Sequence, residues 1–255
     1  MGETFSPGMV ELRDLLLTEM PSGVTYKPEI LDTLKSWSGN MDADRYEPLI
    51  MVAWQRNLLK GILSDDLGKH YDLIVSRSKM QALLSLIEDG GARDWCHDRI
   101  QDKAQSCGEV IAAAFKAAIE ELTAEYGSDW KSWRWGKAHM ALGEHRPFSN
   151  VGPLKSLFEV NVESEGSALA LRRGQNDFSK DEPYLSRHAS VYRAVYDIAN
   201  LEQSLFMIST GQSGHFLSDY YRHFAGKWAK MEFVKIPTEK SEYSKNAIGV
   251  WKLTP

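Results

Sequence analysis

Over the first half of the chain, apolar residues recur at intervals of three and four, the spacing that lines one face of an α-helix. Ser6-Pro7 reads as an N-cap followed by proline at the first helical position, and Met9, Leu12, Leu15, Leu16 and Glu19 then run towards Pro21. Pro28 opens a second helix with Ile30, Leu31, Leu34 and Trp37 on one side and Gly39 as its stop. A third is predicted from Glu47 to Leu63, carrying Ile50, Trp54, Leu58 and Ile62, and a fourth over "SKMQALLSLIEDGG". The clearest stripe lies in "CGEVIAAAFKAAIEELTAEYG", where Val110, Ile111, Ala114, Phe115, Ala118, Ile119 and Leu122 share a face and Gly127 caps the end.

Beyond residue 150 the period shortens. "SALALRR", "HASVYRAVYDI", "QSLFMIST" and "NAIGVWKLTP" are short runs rich in β-branched, aromatic and aliphatic residues, separated by polar stretches such as "RGQNDFSKDEPY". They read as strands of one sheet, antiparallel because some connections are too short for a helical crossover. One more amphipathic helix is expected between the last two, with Leu217, Tyr220, Tyr221, Phe224 and Trp228 on its apolar side. The fold class is therefore α+β: a mainly helical region over 1–150, then strands and a last helix over 151–255, expected as one continuous unit.

The formal charge of -5, with Lys and Arg dispersed among acidic residues, argues against a nucleic-acid partner, because phosphate neutralisation needs clustered cations. Arg172-Arg173 is the densest basic spot and reads as a solvated strand end. No apolar run approaches the roughly 18 residues of a membrane span. "MGETFSPGMVELRDLLL" has neither the basic nor the apolar region of a signal peptide. Cys96 and Cys107 are too few for a disulfide framework, and the residues alone leave free thiols and a single bridge equally open.

Ser213 is the first candidate for chemistry. It sits in "STGQSGHFLSDYYRHF" after an apolar run, and His188, His215 and His223 are bases a Ser-His hydrolase would need. A nucleophile elbow reads G-x-S-x-G, however, whereas Gly211, Gln212, Ser213, Gly214 and His215 place the second glycine one position early. The better reading is a tight turn in which both glycines supply unusual backbone angles, so that Gly214→Ala is expected to destabilise it. In "WRWGKAHMALGEH", His139 and His145 are six apart, which is not the H-E-x-x-H spacing of a zinc site; histidines and tryptophans satisfied by hydrogen bonds fit better. "MDADRYEP" lacks the glycine and terminal glutamate of a calcium loop, and "AIGVW" lacks the context of a dinucleotide fingerprint. The residues by themselves offer no complete active site.

"SWRWGKAHMALGEHRPFSNVGPLKSLFEV", then "STGQSGHFLSDYYRHFAGKWAKMEF", and a terminal segment ending "LTP" resemble the C-terminal part of the β subunit of penicillin acylases. This family of N-terminal-nucleophile amidohydrolases includes cephalosporin and acyl-homoserine-lactone acylases. The W-x-W-G-x-x-H motif (Trp133, Trp135, Gly136, His139), H-R-P-F and G-Q-S-G-H occur in the family's order; "LKSWSGNMDAD" and "WCHDRI....SCGEVIAAAF" extend the likeness forward, and it is strongest from Asp94 to Phe233.

The resemblance implies hydrolysis of an amide joining an acyl group to an amine-bearing nucleus. In this family the nucleophile is the residue exposed at the β-subunit N-terminus by self-cleavage, and its own α-amine, with a reference pKa near ~8, acts as base. Those groups, the oxyanion asparagine and a neighbouring arginine belong to segments upstream of the region that matches Glu3, and Met1 cannot replace the nucleophile. No catalytic residue, cofactor or metal ligand is therefore carried over to this chain, and calcium, where the full family protein holds it, would use upstream residues. The expectation is an acylase fragment, inactive alone, whose strands belong to an αββα sandwich. Its partners are the missing α subunit and N-terminal half of the β subunit, and its substrate is a small acyl amide. The alternative is a noncatalytic structural or binding remnant. On this reading Ser213 is scaffold. The family's periplasmic or extracellular location favours a Cys96–Cys107 bridge.

Overall fold

The computed structural model describes residues 2–23, 26–76, 80–88 and 95–254. Of the sequence features above, Met1, Ser78, Lys79, residues 89–91, Asp94 and Pro255 lie outside the described residues. The chain divides into two compact units that interleave in sequence: residues 1–142 with 163–189, and residues 143–162 with 190–255.

The first unit is built on helices: α1 (Pro7–Glu19), α2 (Pro28–Ser36), α3 (Glu47–Leu67), α4 (Tyr71–Val75), α5 (Met80–Glu88), α6 (Cys107–Tyr126) and the single turn α7 (Trp135–Ala138). Proline opens α1, α2 and α3 within their first turn, where its missing N–H costs no intrahelical bond. Ser6 precedes α1 in extended conformation, and its carbonyl accepts from Met9 and Val10, but its hydroxyl is buried and caps nothing. α6 has the fuller cap. Ser106 Oγ accepts from the Glu109 N–H while the Glu109 carboxylate accepts from the Ser106 N–H, and these bonds hold the Glu109 carboxyl below its usual range.

α3 and α6 pack along one another as the spine of this unit. Every residue from Glu47 to Gln55 is buried, so the first half of α3 is enclosed on all sides, whereas its second half shows the single buried face, Leu58, Leu59, Ile62 and Leu63, that its spacing implies. Trp54 lies against Phe115, ring centroids 5.0 Å apart, and donates from Nε1 to the Ile111 carbonyl at 3.0 Å. The enclosed Glu47 carboxylate is met by the Arg45 guanidinium, with Nε at 3.1 Å. Cys96 and Cys107 are bridged, fastening the segment before α6 to its first residue. Strands β1 (Gly174–Gln175) and β2 (His188–Ala189) form a short antiparallel pair in this unit.

The second unit contains α8 (Gly152–Phe158), α9 (Ala225–Ala229) and α10 (Lys240–Tyr243) with a three-stranded antiparallel sheet, β3 (Tyr192–Val195), β4 (Leu205–Ile208) and β5 (Val234–Lys235), in the order β3-β4-β5. Val160, Tyr221 and Ala225 are its buried cluster. Arg193 is buried with its guanidinium 4.4 Å from the Trp228 ring centroid and Nη1 on the Trp228 carbonyl at 2.9 Å.

Several sequence expectations are corrected here. "SALALRR" forms no ladder, and Arg172 is no solvated strand end: it is buried, donating its N–H to the Glu3 carbonyl and pairing with Glu165. "HASVYRAVYDI" is divided between β2 and β3, which belong to different sheets. "NAIGVWKLTP" carries no strand among its described residues, and Val234–Lys235 takes the third place in the sheet instead. The helix expected over residues 217–228 shrinks to Ala225–Ala229. Its upstream part turns because the Ser218 hydroxyl accepts the Tyr220 N–H, and the Tyr220 carbonyl is taken by the N–H groups of Gln212 and Ser213.

Candidate functional site

The W-x-W-G-x-x-H motif is built around α7. The backbone N–H groups of Trp135 and Gly136 donate to the carbonyls of Arg45 and Ala43 at 2.8 Å each, so "MDADRYEP" acts as a docking edge for the motif. Gly136 is required by that approach, since a Cβ there would come within 2.6 Å of the Ala43 methyl. Trp133 Nε1 donates to the Gly127 carbonyl at 2.9 Å, and Trp135 Nε1 to the Gly166 carbonyl at 3.0 Å.

His139 is completely buried and stacked on Trp135, with centroids 4.1 Å apart and planes inclined by 12°. Its Nδ1 lies 2.7 Å from the Tyr184 carbonyl, which can only accept, so Nδ1 carries the proton. Among the described residues, no donor meets the buried Nε2 lone pair and no partner meets the buried Ser186 hydroxyl, and both face the side of Gly174 where a Cβ would stand. Burial pushes the imidazole down to about 4, against the pull of the Tyr184 and Gly174 backbone groups. A neutral, enclosed ring of this kind supports a local structure. The expectation of a histidine satisfied by hydrogen bonds is met at one nitrogen and not at the other.

Sequence reasoning did not single out the network beyond it. Tyr184 donates its hydroxyl to Glu121, whose other oxygen accepts from Arg56 at 2.7 Å and Asn57 at 2.8 Å. Burial, then the Glu121 charge and hydrogen bond, push the Tyr184 phenol far up, so it stays protonated as a donor. Tyr126 beside it is pushed up to about 12, chiefly by burial. Arg56, Glu121, Tyr126 and Tyr184 line a cleft of about 620 Å³ together with Lys137 and Glu182. The partners are 63 to 65 positions apart in sequence, too far for any local spacing to reveal.

In the second unit, Gly211, Gln212, Ser213, Gly214 and His215 do form one tight turn. The N–H groups of Gln212 and Ser213 converge on the Tyr220 carbonyl at 2.9 and 3.2 Å, and Phe224 N–H donates to the Thr210 carbonyl at 3.0 Å. Ser213 Oγ accepts from the His215 N–H at 3.1 Å, and His215 Nδ1 accepts from the Leu217 N–H at 3.3 Å. Both side chains thus serve the backbone of their own turn. The two glycines are unequal. Gly211 is pressed against the backbone, with the Tyr221 carbonyl oxygen 2.5 Å from where a Cβ would stand and the Tyr220 carbonyl nearer still. Gly214 has open space around it, and neither glycine lies in the left-handed region, which corrects the expectation that both supply unusual backbone angles.

Among the described residues, no Ser, Thr or Cys side chain is hydrogen-bonded to a histidine ring within either unit. Nor do three of His, Cys, Asp or Glu gather there as around a metal ion. No helix among them is long and apolar enough to cross a membrane.

The penicillin amidase family model matches residues 1–245. The chain belongs to the penicillin amidase family. The acyl-homoserine lactone acylase QuiP of Pseudomonas putida is 22% identical over 256 residues, covering 98% of this chain and 31% of that protein. QuiP of Pseudomonas syringae pv. syringae is 27% identical over 261 residues, with coverage of 98% and 31%. The chain thus spans about a third of the length of these relatives. Among solved structures, the thermostable penicillin G acylase from Alcaligenes faecalis aligns with a TM-score of 0.52 at 12% identity, over 99% of this chain and 47% of that one. The likeness establishes an α+β architecture related to that of this N-terminal-nucleophile hydrolase.

Proposed function

We propose that this chain is part of an amide-hydrolysing acylase whose N-terminal nucleophile, α-amine base and oxyanion donors lie in polypeptide outside it. The observation that carries the reading is the family match over residues 1–245, set beside relatives of which the chain covers only 31%. In the complete enzyme the nucleophile's hydroxyl would attack the amide carbonyl while the α-amine takes its proton. The amine product would leave with that proton, and water would then release the acid from the acyl-enzyme. The acyl-homoserine lactone acylases among the relatives make an N-acyl lactone the first substrate to try. The bridged cysteines support passage through an oxidising compartment, periplasmic or extracellular.

The contribution of these residues is structural. Trp135 and His139 stiffen the first unit, and Ser213 holds a turn. The second reading, a noncatalytic remnant, is favoured by the engagement of the Ser213 and His215 side chains with the backbone of their own turn. The test is incubation of the purified 255-residue chain with N-acyl homoserine lactones and chromogenic phenylacetyl amides. No turnover is expected, because nucleophile, base and oxyanion donors are not brought together. Turnover abolished by Ser213→Ala would overturn the proposal and restore a Ser-His hydrolase.

A further inference from the structure

The short strand pair of the first unit borders an opening that none of the motifs above uses. β1 and β2 pair with Gln175 opposite His188, and a cavity of about 400 Å³ lies against them. That volume falls within the range of small-molecule sites. Arg173, Gln175, Asn176, Asp177 and Arg187 line it, and no described residue of its lining is apolar. All of them belong to the first unit.

The state of the polar groups indicates what the cavity takes. Arg173 stands two positions from Gln175, on the same face of the strand, and its Nη2 donates to Gln175 Oε1 at 2.9 Å, which leaves the amide nitrogen of Gln175 as a donor. Arg187 is partly buried, with its backbone N–H on the Gln175 carbonyl at 2.8 Å. Its Nη2 reaches Glu182 only at 3.4 Å to the carbonyl and 3.9 Å to the carboxylate, and among the described residues nothing meets its buried Nε. Two guanidiniums thus line one cavity with few acceptors, and the guanidinium fork matches a carboxylate. Asp177 supplies the opposite sign. Its Oδ1 accepts from the Ser179 N–H at 3.0 Å and hydroxyl at 2.7 Å, while its Oδ2 has no partner among the described residues. A ligand of one sign would answer only part of this lining: a phosphate would face Asp177, and a bare amine the two arginines. A fatty acyl chain would find no apolar wall.

We propose that this cavity binds a small polar amino acid, with its carboxylate on Arg173 and Arg187 and its ammonium on Asp177. The full chain is titrated with L-serine by calorimetry, with ethanolamine, acetate and inorganic phosphate as comparisons. L-Serine is expected to bind saturably, and ethanolamine and acetate at least about tenfold more weakly, since each lacks one of the two charges. Arg173→Gln, at an exposed position, should weaken L-serine about tenfold, as should Arg187→Gln. Lys35→Gln, which removes a charge on α2 outside the cavity, should leave it unchanged. Asp177→Asn keeps an acceptor for Ser179, so it should weaken L-serine without weakening acetate.

Thermal midpoints show that each variant is folded, and where Arg187→Gln is not, Arg173→Gln and Asp177→Asn decide. Absence of saturable L-serine binding overturns the proposal, as does binding that Arg173→Gln and Asp177→Asn leave unchanged. Phosphate binding more tightly than L-serine overturns it in favour of a simple anion site.

Discussion

The unequal glycines of the 209–215 turn give a test of the scaffold in which two neighbouring, chemically identical substitutions should differ in sign. At Gly211 a new methyl group would stand 2.5 Å from the Tyr221 carbonyl oxygen and closer to that of Tyr220, so backbone must move on one side of the turn. Moving it breaks the convergence of the Gln212 and Ser213 N–H groups on Tyr220. Each such bond is worth about 1 kcal/mol net, and forcing a group into a filled space typically costs 1–3 kcal/mol more, roughly 3–5 kcal/mol in all. At Gly214 the methyl meets nothing within 4 Å and the backbone is not left-handed. Gly214→Ala should therefore be neutral or stabilise by up to about 1 kcal/mol through the unfolded chain. Urea titration followed by far-ultraviolet circular dichroism and by fluorescence reports both variants against the parent. Equal losses for the two, or a costly Gly214→Ala beside a harmless Gly211→Ala, would refute the packing argument.

Other expectations follow from the same kind of reasoning. His139 is neutral in the fold with its pKa pushed down to about 4, while the unfolded chain protonates near ~6.5. Its contribution is thus full above pH ~6.5 and lost as pH falls towards 4, by about 3 kcal/mol in total. Urea midpoints between pH 7 and 4 should show this slope, and His139→Asn, which keeps a donor for the Tyr184 carbonyl, should flatten it. Reduction of Cys96–Cys107, or Cys96→Ser with Cys107→Ser, should lower stability by about 3 kcal/mol, read from denaturation with and without reductant. Ser213→Ala should cost about 1 kcal/mol, one hydrogen bond, and an acyl adduct on Ser213 in peptide maps would contradict its role in the turn.

The sequence was most legible where the local signal and the tertiary environment agree. α6 appears where its stripe predicts it, because Val110 through Leu122 pack on the one long partner that α3 provides. α3 itself was placed correctly, yet the burial of its first half on every side was hidden: periodicity reports which residues are apolar, and the enclosure of Glu47 depends on Arg45 lying outside the helix. The helix over 217–228 failed for the opposite reason. The apolar spacing is present, but the Tyr220 carbonyl that would have closed one of its turns is claimed by the N–H groups of Gln212 and Ser213, a competition invisible to a window of sequence. Contacts such as Tyr184 with Glu121 join distant residues that no spacing rule connects.

The terminal run "AIGVWKLTP" belongs to a different case, in which the residues read as a strand and the fold of this chain offers them no neighbour. A β-strand is defined by the edge it pairs with, and none of the described strands pairs with this run. The motifs that first draw attention behave in the contrary manner. Ser213 and His215 turn their polar atoms on their own loop, and Trp135 and His139 on buried backbone, leaving little to offer a substrate. Within this chain, then, the named motifs engage their own backbone and build a frame, while the apolar run at residues 248–253 stays exposed.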